Sequence, residues 1–314
     1  MLCDVFLARV RDYSQPDLAD VVGRLLESCG CKPAPGTPVL VKPNLVAPYN
    51  SSLSCTNPLV VRAACAYLLD HGAKVSVGDS PAFGTARIVA KACGLTKALR
   101  PLPVKVIDFS GTKRIPLSLG GRAGVAPQAL EAELILNIPR FKAHDQMLLS
   151  LAMKNFFGCV TGLRKTLAHQ IHGERANRFE SMIMDVALSL PKNLSLMDGV
   201  VAMHGHGPAR GAPYPLGLIG AAASPVALDT AMCMLLGLDP AAVPLGREAL
   251  SRGLAGAKPQ DLAFPLETPE AFPGQDFILP GKLANVAFGP SRVVLGRLKS
   301  LYVKIFGTKG TQAG

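Results

Sequence analysis

A lysine stands inside a nearly apolar run, and histidines flank it along the chain. The run MLLSLAMKNFFGCVTG covers residues 147–162, and Lys154 is its one charged side chain. His144 precedes Lys154 by ten residues, while His169 and His172 follow it by fifteen and eighteen. Imidazole and amine groups suit proton transfer near neutral pH, and imidazole is also a common metal ligand. We predict His144 and Lys154 as catalytic residues and His169 and His172 as metal ligands, although their spacing matches no standard zinc motif. A structural role is the alternative for each histidine.

The position of Lys154 needs a physical reason. The run is too short to cross a bilayer, which takes about 20 apolar residues, and it therefore predicts a helix within a protein core. A fully buried ammonium without a partner is strongly disfavoured. Lys154 therefore reaches solvent, is paired, or is held where its charge is used.

Polar clusters follow several predicted strands. They are KPN at 42–44, GDSP at 78–81, NIPRFKAH at 137–144 and MDG at 197–199. Ligands bind beyond the carboxyl ends of strands in open parallel sheets, so these clusters predict one shared pocket. Turn chemistry alone is the alternative explanation. We predict Asp79 as a third catalytic residue near the substrate. The predicted substrate- or cofactor-binding residues here are Lys42, Asn44, Ser80, Asn137, Lys142, Asn155 and Asp198.

A glycine-rich loop, HGHGPARG at 204–211, adds two further candidates. Glycines let backbone N–H groups approach an anion closely. We therefore predict Gly205 and Gly207 as binding residues, with a mobile surface loop as the alternative. The loop lacks the GK[ST] ending of a P-loop.

Helix-like and strand-like segments alternate along the chain and predict the α/β class. Strands are expected at 37–44, 73–81 and 104–109, with helices at 16–30, 56–72 and 84–94 between them or just before. This order favours mainly parallel sheets with flanking helices. We expect two lobes with a cleft between them: an N-terminal lobe at 1–125 and a C-terminal lobe at 126–290. A basic tail at 291–314 would follow. One continuous domain is the alternative.

Composition narrows the class of partner. The chain of 314 residues has 33 basic and 22 acidic residues, a net charge of +11, which permits an anionic partner. Nucleic acid is not favoured, because there is no Trp, aromatic residues make up 5%, and no basic tract is interleaved with aromatics. We expect no signal peptide and no transmembrane segment, and hence a cytoplasmic protein. The eight cysteines contain no CxxC motif, which predicts buried or free thiols.

The chain resembles the domain-of-unknown-function family numbered 362 over about residues 39–235. The matching pieces include VLVKPNLV, LILNIPRFKAH, LAMKNFFGCVTG and MDGVVAMHGHGPARG. Members often carry a ferredoxin module, so the resemblance implies an iron–sulfur cluster or a ferredoxin-like redox partner. No cysteine follows Cys233, and that module is missing here.

A more distant similarity is to the nickel-pincer lactate racemases. It implies His144 as the acid–base group, Lys154 as the tether of a nickel cofactor, and His169 or His172 as the metal ligand. Asp79 would lie near the substrate. Two departures stand out: SLAM replaces the Gly-Gly approach to the lysine, and Ala82 stands where an arginine is expected.

Three functions follow from these patterns. The first is an enzyme, racemase-like or oxidoreductase-like, that acts on a small anionic metabolite by proton transfer or by metal-assisted chemistry with nickel or iron. The second is an iron–sulfur or redox accessory protein, with Cys29, Cys31, Cys55 and Cys93 as cluster ligands. The third is a noncatalytic anion-binding module. The sequence leaves the oligomeric state open.

Overall fold

The computed structural model describes residues 2–161 and 177–284. These residues form a mixed α/β structure in which helices flank one large sheet. The strands β1 to β13 are Cys3–Arg9, Pro38–Pro43, Lys74–Asp79, Lys105–Asp108, Lys113–Pro116, Arg122–Val125, Leu134–Ile138, Arg140–His144, Leu148–Ser150, Asn193–His204, Ala212–Tyr214, Leu218–Ala222 and Leu262–Ala263. The helices α1 to α10 are Leu18–Ser28, Ser51–Ser54, Pro58–Asp70, Ala86–Ala92, Leu95–Leu99, Pro127–Leu130, Ala152–Asn155, Arg178–Ser189, Pro225–Leu235 and Pro244–Ser251.

The large sheet is mostly parallel and has the order β13-β1-β12-β10-β7-β2-β3-β4. Strands β2, β3, β4 and β7 run parallel to their neighbours, as the alternation of strands and helices predicts. Strand β12 is antiparallel to both β1 and β10. Strand β8 follows β7 along the chain and pairs in parallel with the later part of β10. Strand β9 forms an antiparallel hairpin with β8. The predicted α/β class with a mainly parallel sheet is confirmed.

Strands from both predicted lobes join in this sheet. Strands β2 and β3 lie before residue 125, and they pair directly with each other and with β7 beyond it. In the described residues, the boundary near residue 125 therefore does not separate two sheets. The division into two lobes with a cleft between them stays a prediction, and the tail at 291–314 lies outside the described residues.

Local chemistry explains where several helices begin. In α3, the Asn57 side chain accepts a hydrogen bond from the Leu59 N–H at 2.9 Å, and Pro58 occupies the first turn. In α9, the Ser224 hydroxyl accepts from the Ala227 N–H at 3.1 Å. The first of these helices lies within the one predicted at 56–72. None of the helices described here is long and apolar enough to cross a membrane.

The apolar core lies on both faces of the sheet, and β2 shows how. Val39 and Val41 point into one core cluster, which includes α1 and α3, whereas Leu40 points into a second cluster, which includes α8. Lys42 falls on the Leu40 face because side chains alternate along a strand. A lysine therefore enters the core at the carboxyl end of a central strand.

The run at 147–162 does not form the predicted helix. It contains β9, the short helix α7 and a 3₁₀ turn at Phe156–Cys159. Leu148 pairs with His144 across the β8–β9 hairpin and has a positive φ of 60°. A short apolar run fits a buried strand as well as a buried helix. Pairing with β8 makes Leu148–Ser150 a strand, and the α-helix is limited to Ala152–Asn155, which includes Lys154.

Candidate functional site

A buried polar layer lies at the carboxyl ends of β2, β3 and β7 and along β8. Its charged side chains are almost inaccessible: Lys42 is 0% exposed, Lys142 is 1%, Arg140 and Asp79 are 2%, and Asp198 is 0%. The layer consists of Lys42, Asn44, Asp79, Asn137, Arg140, Lys142, Asn155 and Asp198. Seven of these eight are residues that the sequence predicts for the site, and Arg140 belongs to one of the same polar clusters.

The first ion pair joins Lys42 and Asp79. Their Nζ and Oδ1 atoms are 2.9 Å apart. The carboxylate also accepts backbone N–H bonds from Leu45 and Ser80, each at 2.8 Å. Gly158 lies against this pair, since a Cβ at that position would come closer than 3.0 Å to both charged groups. Asp79 is thus held by donors on both oxygens, and its first role is to fix Lys42.

The side-chain amides of Asn137 and Asn155 form a hydrogen-bond network next to Lys42. The Asn137 side chain donates to the Ser195 hydroxyl at 3.0 Å and to the Ala152 carbonyl at 3.1 Å. Asn155 donates to Asn137 Oδ1 at 2.8 Å and to the Lys42 carbonyl at 3.3 Å. The Oδ1 atom of Asn155 is buried and has no hydrogen-bond partner within the described structure. Asn155 therefore ties α7 to the strand ends, one residue after Lys154.

The second ion pair joins Arg140 and Asp198 at 2.9 Å. Asp198 also accepts from the Tyr13 hydroxyl at 2.7 Å and from the Asn57 N–H at 2.7 Å. Burial, together with the charge of Asp198, raises the pKa of Tyr13. This pair connects β8 and β10 to α3 and to the segment after β1.

Lys142 is the third buried cation, and no carboxylate forms an ion pair with it in the described structure. Its ammonium donates to Asn44 Oδ1 and, at 2.9 Å, to the Ser54 carbonyl. Burial lowers the pKa of Lys142 to about 7, and the charge of Cys55 opposes that shift. The group therefore exchanges a proton near neutral pH.

His144 lies two residues after Lys142 on β8, so both side chains project from the same face of that strand. The ring is buried, and its Nδ1 accepts the Gln146 N–H at 3.1 Å. Nδ1 is therefore unprotonated in this arrangement, and the neutral ring carries its proton on Nε2.

Lys154 is half-buried, and aromatic rings surround its ammonium. The nitrogen lies 4.7 Å from the centroid of Phe157 and 5.9 Å from that of Phe179. Cation–π attraction of this kind stabilises an ammonium in an apolar setting. The Lys154 charge thus lies against aromatic rings at the end of α7, and its role in chemistry stays a prediction.

The two predicted glycines of the loop at 204–211 make close contacts within the chain. The Gly205 N–H donates to the Ile278 carbonyl at 2.7 Å, so this donor already has a hydrogen-bond acceptor within the chain. Gly207 packs against the Ala143 carbonyl so closely that a Cβ would overlap it. Both glycines thus serve packing in this arrangement, and their role in anion binding stays a prediction.

An open cleft of about 380 Å³ lies beside the layer. Its lining residues are Asn50, Ser52, Leu53, Met203, Ala209, Arg210 and Gly211. Two of the lining residues are close to Lys142. Leu53 precedes Ser54, whose carbonyl accepts a hydrogen bond from Lys142, and Met203 pairs with Lys142 across β10 and β8. Arg210 is exposed at the cleft and supplies a positive charge.

The predicted metal ligands His169 and His172 lie outside the described residues. Within residues 2–161 and 177–284, no three His, Cys, Asp or Glu side chains form a group that could hold a metal ion. The four cysteines proposed as cluster ligands, Cys29, Cys31, Cys55 and Cys93, all lie in these described residues and form no such group there.

Sequence reasoning missed three residues. Tyr13 and Gly158 carry no motif, and only the fold brings them to the layer. Asp229 had a usable signal, because it is the single charge in the apolar helix α9. Its carboxylate accepts the N–H groups of Ala152 at 2.7 Å and Met153 at 3.0 Å, and burial raises its pKa to about 7.

Three comparisons place the chain among known proteins. Residues 39–234 match the family described as "Domain of unknown function (DUF362)". The thylakoid-associated protein sll1697 of Synechocystis sp. is 34% identical over 311 residues, which cover 97% of this chain and 96% of that protein. The lactate racemase apoprotein from Thermoanaerobacterium thermosaccharolyticum is similar at a TM-score of 0.47 and 14% identity, over 74% of this chain and 56% of that chain.

Proposed function

We propose that this chain, which belongs to the DUF362 family, is an enzyme that binds a small anionic metabolite and transfers a proton on it. The observation that carries the proposal is the charge of the buried layer. Lys42, Arg140 and Lys142 are three buried cations, whereas Asp79 and Asp198 are its two carboxylates. The third cation, Lys142, forms no ion pair with a carboxylate in the described structure, and we place the proton equilibrium there.

Lys142 suits both roles. With a pKa of about 7 it is part ammonium and part amine near neutral pH. The ammonium attracts a carboxylate, and the amine accepts a proton from a carbon next to that carboxylate. His144, on the same face of β8, is the second proposed acid–base group. Asp79 positions Lys42, and Lys42 adds positive potential to the layer.

We propose that the metabolite enters through the cleft beside Lys142. Arg210 would bind its anionic group, and the polar side chains of Asn50 and Ser52 would orient it. Met203, which lines the cleft, pairs with Lys142 across β10 and β8, so the cleft lies next to the strand that carries the buried ammonium. Lys154 and its aromatic neighbours would hold a second negative charge or a cofactor.

The test follows proton transfer directly. The protein is incubated in deuterated buffer with a panel of 2-hydroxy and 2-amino carboxylates, and NMR follows exchange of the proton on the carbon next to the carboxylate. We expect exchange with at least one compound, and we expect Lys142→Met to slow it by about 100-fold, the usual range for loss of an acid–base group. Lys97→Met, at an exposed lysine, is the matched control and should leave the rate unchanged.

Two other outcomes have defined meanings. Carboxylates that raise the melting temperature without any exchange would indicate the noncatalytic anion-binding module instead. No exchange and no stabilisation with any compound would contradict the proposal. For Lys154, the corresponding test is Lys154→Met: higher stability with unchanged binding and exchange would remove it from the site.

We also propose a cytoplasmic location. All eight cysteines are free thiols, as is usual in a reducing compartment. Cell fractionation tests this, and recovery of the chain only with membranes would contradict it.

A further inference from the structure

The carboxylate of Asp229 joins two helices, and the proposed proton transfer does not use it. Asp229 lies on α9, and its two oxygens accept the backbone N–H groups of Ala152 at 2.7 Å and Met153 at 3.0 Å. These two residues begin helix α7. Leu151, which precedes them, makes no side-chain capping hydrogen bond. Asp229 therefore supplies, from another helix, the cap that α7 lacks in its own sequence.

A carboxylate is the side chain that suits this arrangement. The two N–H groups belong to consecutive residues, and a different oxygen of Asp229 accepts each of them. An asparagine would offer one acceptor oxygen and would turn its NH2 group toward the second N–H. The charge is unfavourable here, because burial raises the pKa of the Asp229 carboxyl to about 7. The chain thus keeps an unfavourable charge at a position where two acceptors are needed.

The surroundings of Asp229 offer no compensating cation. None of the ion pairs among the described residues includes Asp229. A cavity of about 20 Å³ adjoins it, which is room for about one water molecule. Most of the cavity lining is apolar and includes Leu149, Leu151, Val226 and Leu245. The N–H dipoles at the start of α7 therefore balance the carboxylate in place of a cation.

The other side of α7 reaches the buried polar layer. The Asn155 side chain donates to Asn137 Oδ1 at 2.8 Å and to the Lys42 carbonyl at 3.3 Å. The Asn137 side chain donates in turn to the Ala152 carbonyl at 3.1 Å. Lys154 lies between these contacts and the cap. A helix of four residues is not stable by itself, so the position of α7 depends on the contacts at its two ends.

We propose that Asp229 is a positioning residue, which holds α7 so that Lys154 and Asn155 keep their places beside the buried polar layer. Asp229 acts through the backbone of α7 and touches no substrate. Its effect on turnover rests on the proposed function, whereas its effect on the position of α7 does not.

Two measurements on the full chain test the position of α7 without a substrate. Both are made at pH 8, where Asp229 is mainly ionised. Hydrogen exchange with mass spectrometry follows the amides of residues 147–159, and competitive acetylation with acetic anhydride compares Lys154 with the exposed Lys97. In Asp229→Asn, the α7 amides should exchange about 10-fold faster, because one hydrogen bond to a charged group is lost. Acetylation of Lys154 relative to Lys97 should also rise.

Asp239→Asn is the matched control. Asp239 is exposed, and its Oδ1 accepts the Ala241 N–H at 2.8 Å, so the same substitution weakens a cap away from α7. It should leave both readouts unchanged. Circular dichroism verifies that each variant is folded. If Asp229→Asn does not fold, Asp229→Glu takes its place, because glutamate keeps both acceptor oxygens and moves them by one methylene.

The proton-exchange assay of the proposed function tests the effect on turnover. At saturating carboxylate, Asp229→Asn should lower the rate by about 10- to 100-fold, because a misplacement of about 1 Å can reduce catalysis this much. The carboxylate concentration that gives half the maximal rate should stay the same, because the proposed anion contacts at Arg210 and Lys142 lie outside α7. This separation distinguishes positioning from general loss of the fold, which would change both quantities.

Amide exchange and Lys154 acetylation that match the wild type would overturn the proposal, whether or not any carboxylate is turned over. Faster amide exchange with an unchanged rate at saturation would also overturn it, since Asp229 would then serve the fold alone. A wild-type chain that exchanges no carboxylate proton would contradict the proposed function, and the two substrate-free measurements would still decide whether Asp229 positions α7.

Discussion

Replacement of Lys142 by methionine should change the pH dependence of stability in a defined direction. Burial lowers the pKa of Lys142 from 10.5 to about 7. Between these pH values the unfolded chain binds more protons at this position than the folded chain. The lysine therefore destabilises the fold most below pH 7, and the penalty fades as the pH rises.

The magnitude follows from the two pKa values. The penalty is about 4 kcal/mol at pH 7 and about 2 kcal/mol at pH 9. The wild-type chain should therefore gain about 2 kcal/mol over this range from Lys142 alone. Lys142→Met lacks this gain, so its stability relative to the wild type should fall by about 2 kcal/mol between pH 7 and pH 9.

The assay is urea unfolding at pH 7, 8 and 9. Both chains should carry Cys55→Ser, because the depressed pKa of Cys55 gives a pH dependence of the same sign. The charge of Cys55 opposes the lowering of the Lys142 pKa, so in this background that pKa falls further and the expected difference is at least as large. Loss of the hydrogen bonds to Asn44 and Ser54 shifts the Lys142→Met chain by a constant amount. A stability difference between the two chains that does not change with pH would refute a buried lysine with a lowered pKa.

Three further changes test the structure around the site. Gly158→Ala should destabilise the protein by about 1–3 kcal/mol, because the methyl group would overlap the buried ammonium–carboxylate pair; Gly281→Ala, which meets nothing within 4 Å, is the control, and equal urea midpoints for the two would contradict this packing. Asp229→Asn should gain stability relative to the wild type by up to about 3 kcal/mol as the pH rises from 5 to 8. The wild type loses stability over this range because Asp229, with a pKa that burial raises to about 7, must ionise, whereas asparagine does not titrate. A stability difference that stays constant with pH would contradict the raised pKa. Asp198→Asn should cost about 3–5 kcal/mol in urea unfolding, because it leaves the buried Arg140 charge without its partner, and a loss below 1 kcal/mol would contradict that pairing.

Much of the site could be predicted from the sequence because strand ends have a clear signature. Pro139 stops β7 and polar residues follow it, so Asn137 and Lys142 could be placed at the same edge as Lys42. Parallel pairing then brings those ends together, which is a property of the sheet and not of any one residue.

Other contacts depend on tertiary packing that local patterns do not encode. Tyr13 reaches Asp198 across 185 positions of sequence, and no local pattern marks it. The apolar run around Lys154 shows the same limit in secondary structure, because pairing of Leu148–Ser150 with β8 leaves only the short helix Ala152–Asn155 of the predicted one. Asp229 could have been predicted from the sequence, because a single carboxylate in an apolar helix needs a partner in the same way as the ammonium of Lys154 does.

Strand β1 has a practical consequence for cutting this chain into smaller pieces. It fills the space between β12 and β13, and five of its residues pair with Leu218–Ala222. A fragment trimmed to residues 39–234 would remove that strand and leave Leu218–Ala222 as a bare edge of almost wholly buried residues. Exposed edge strands of this kind pair with other chains, so such a fragment should aggregate even though it retains all eight residues of the polar layer.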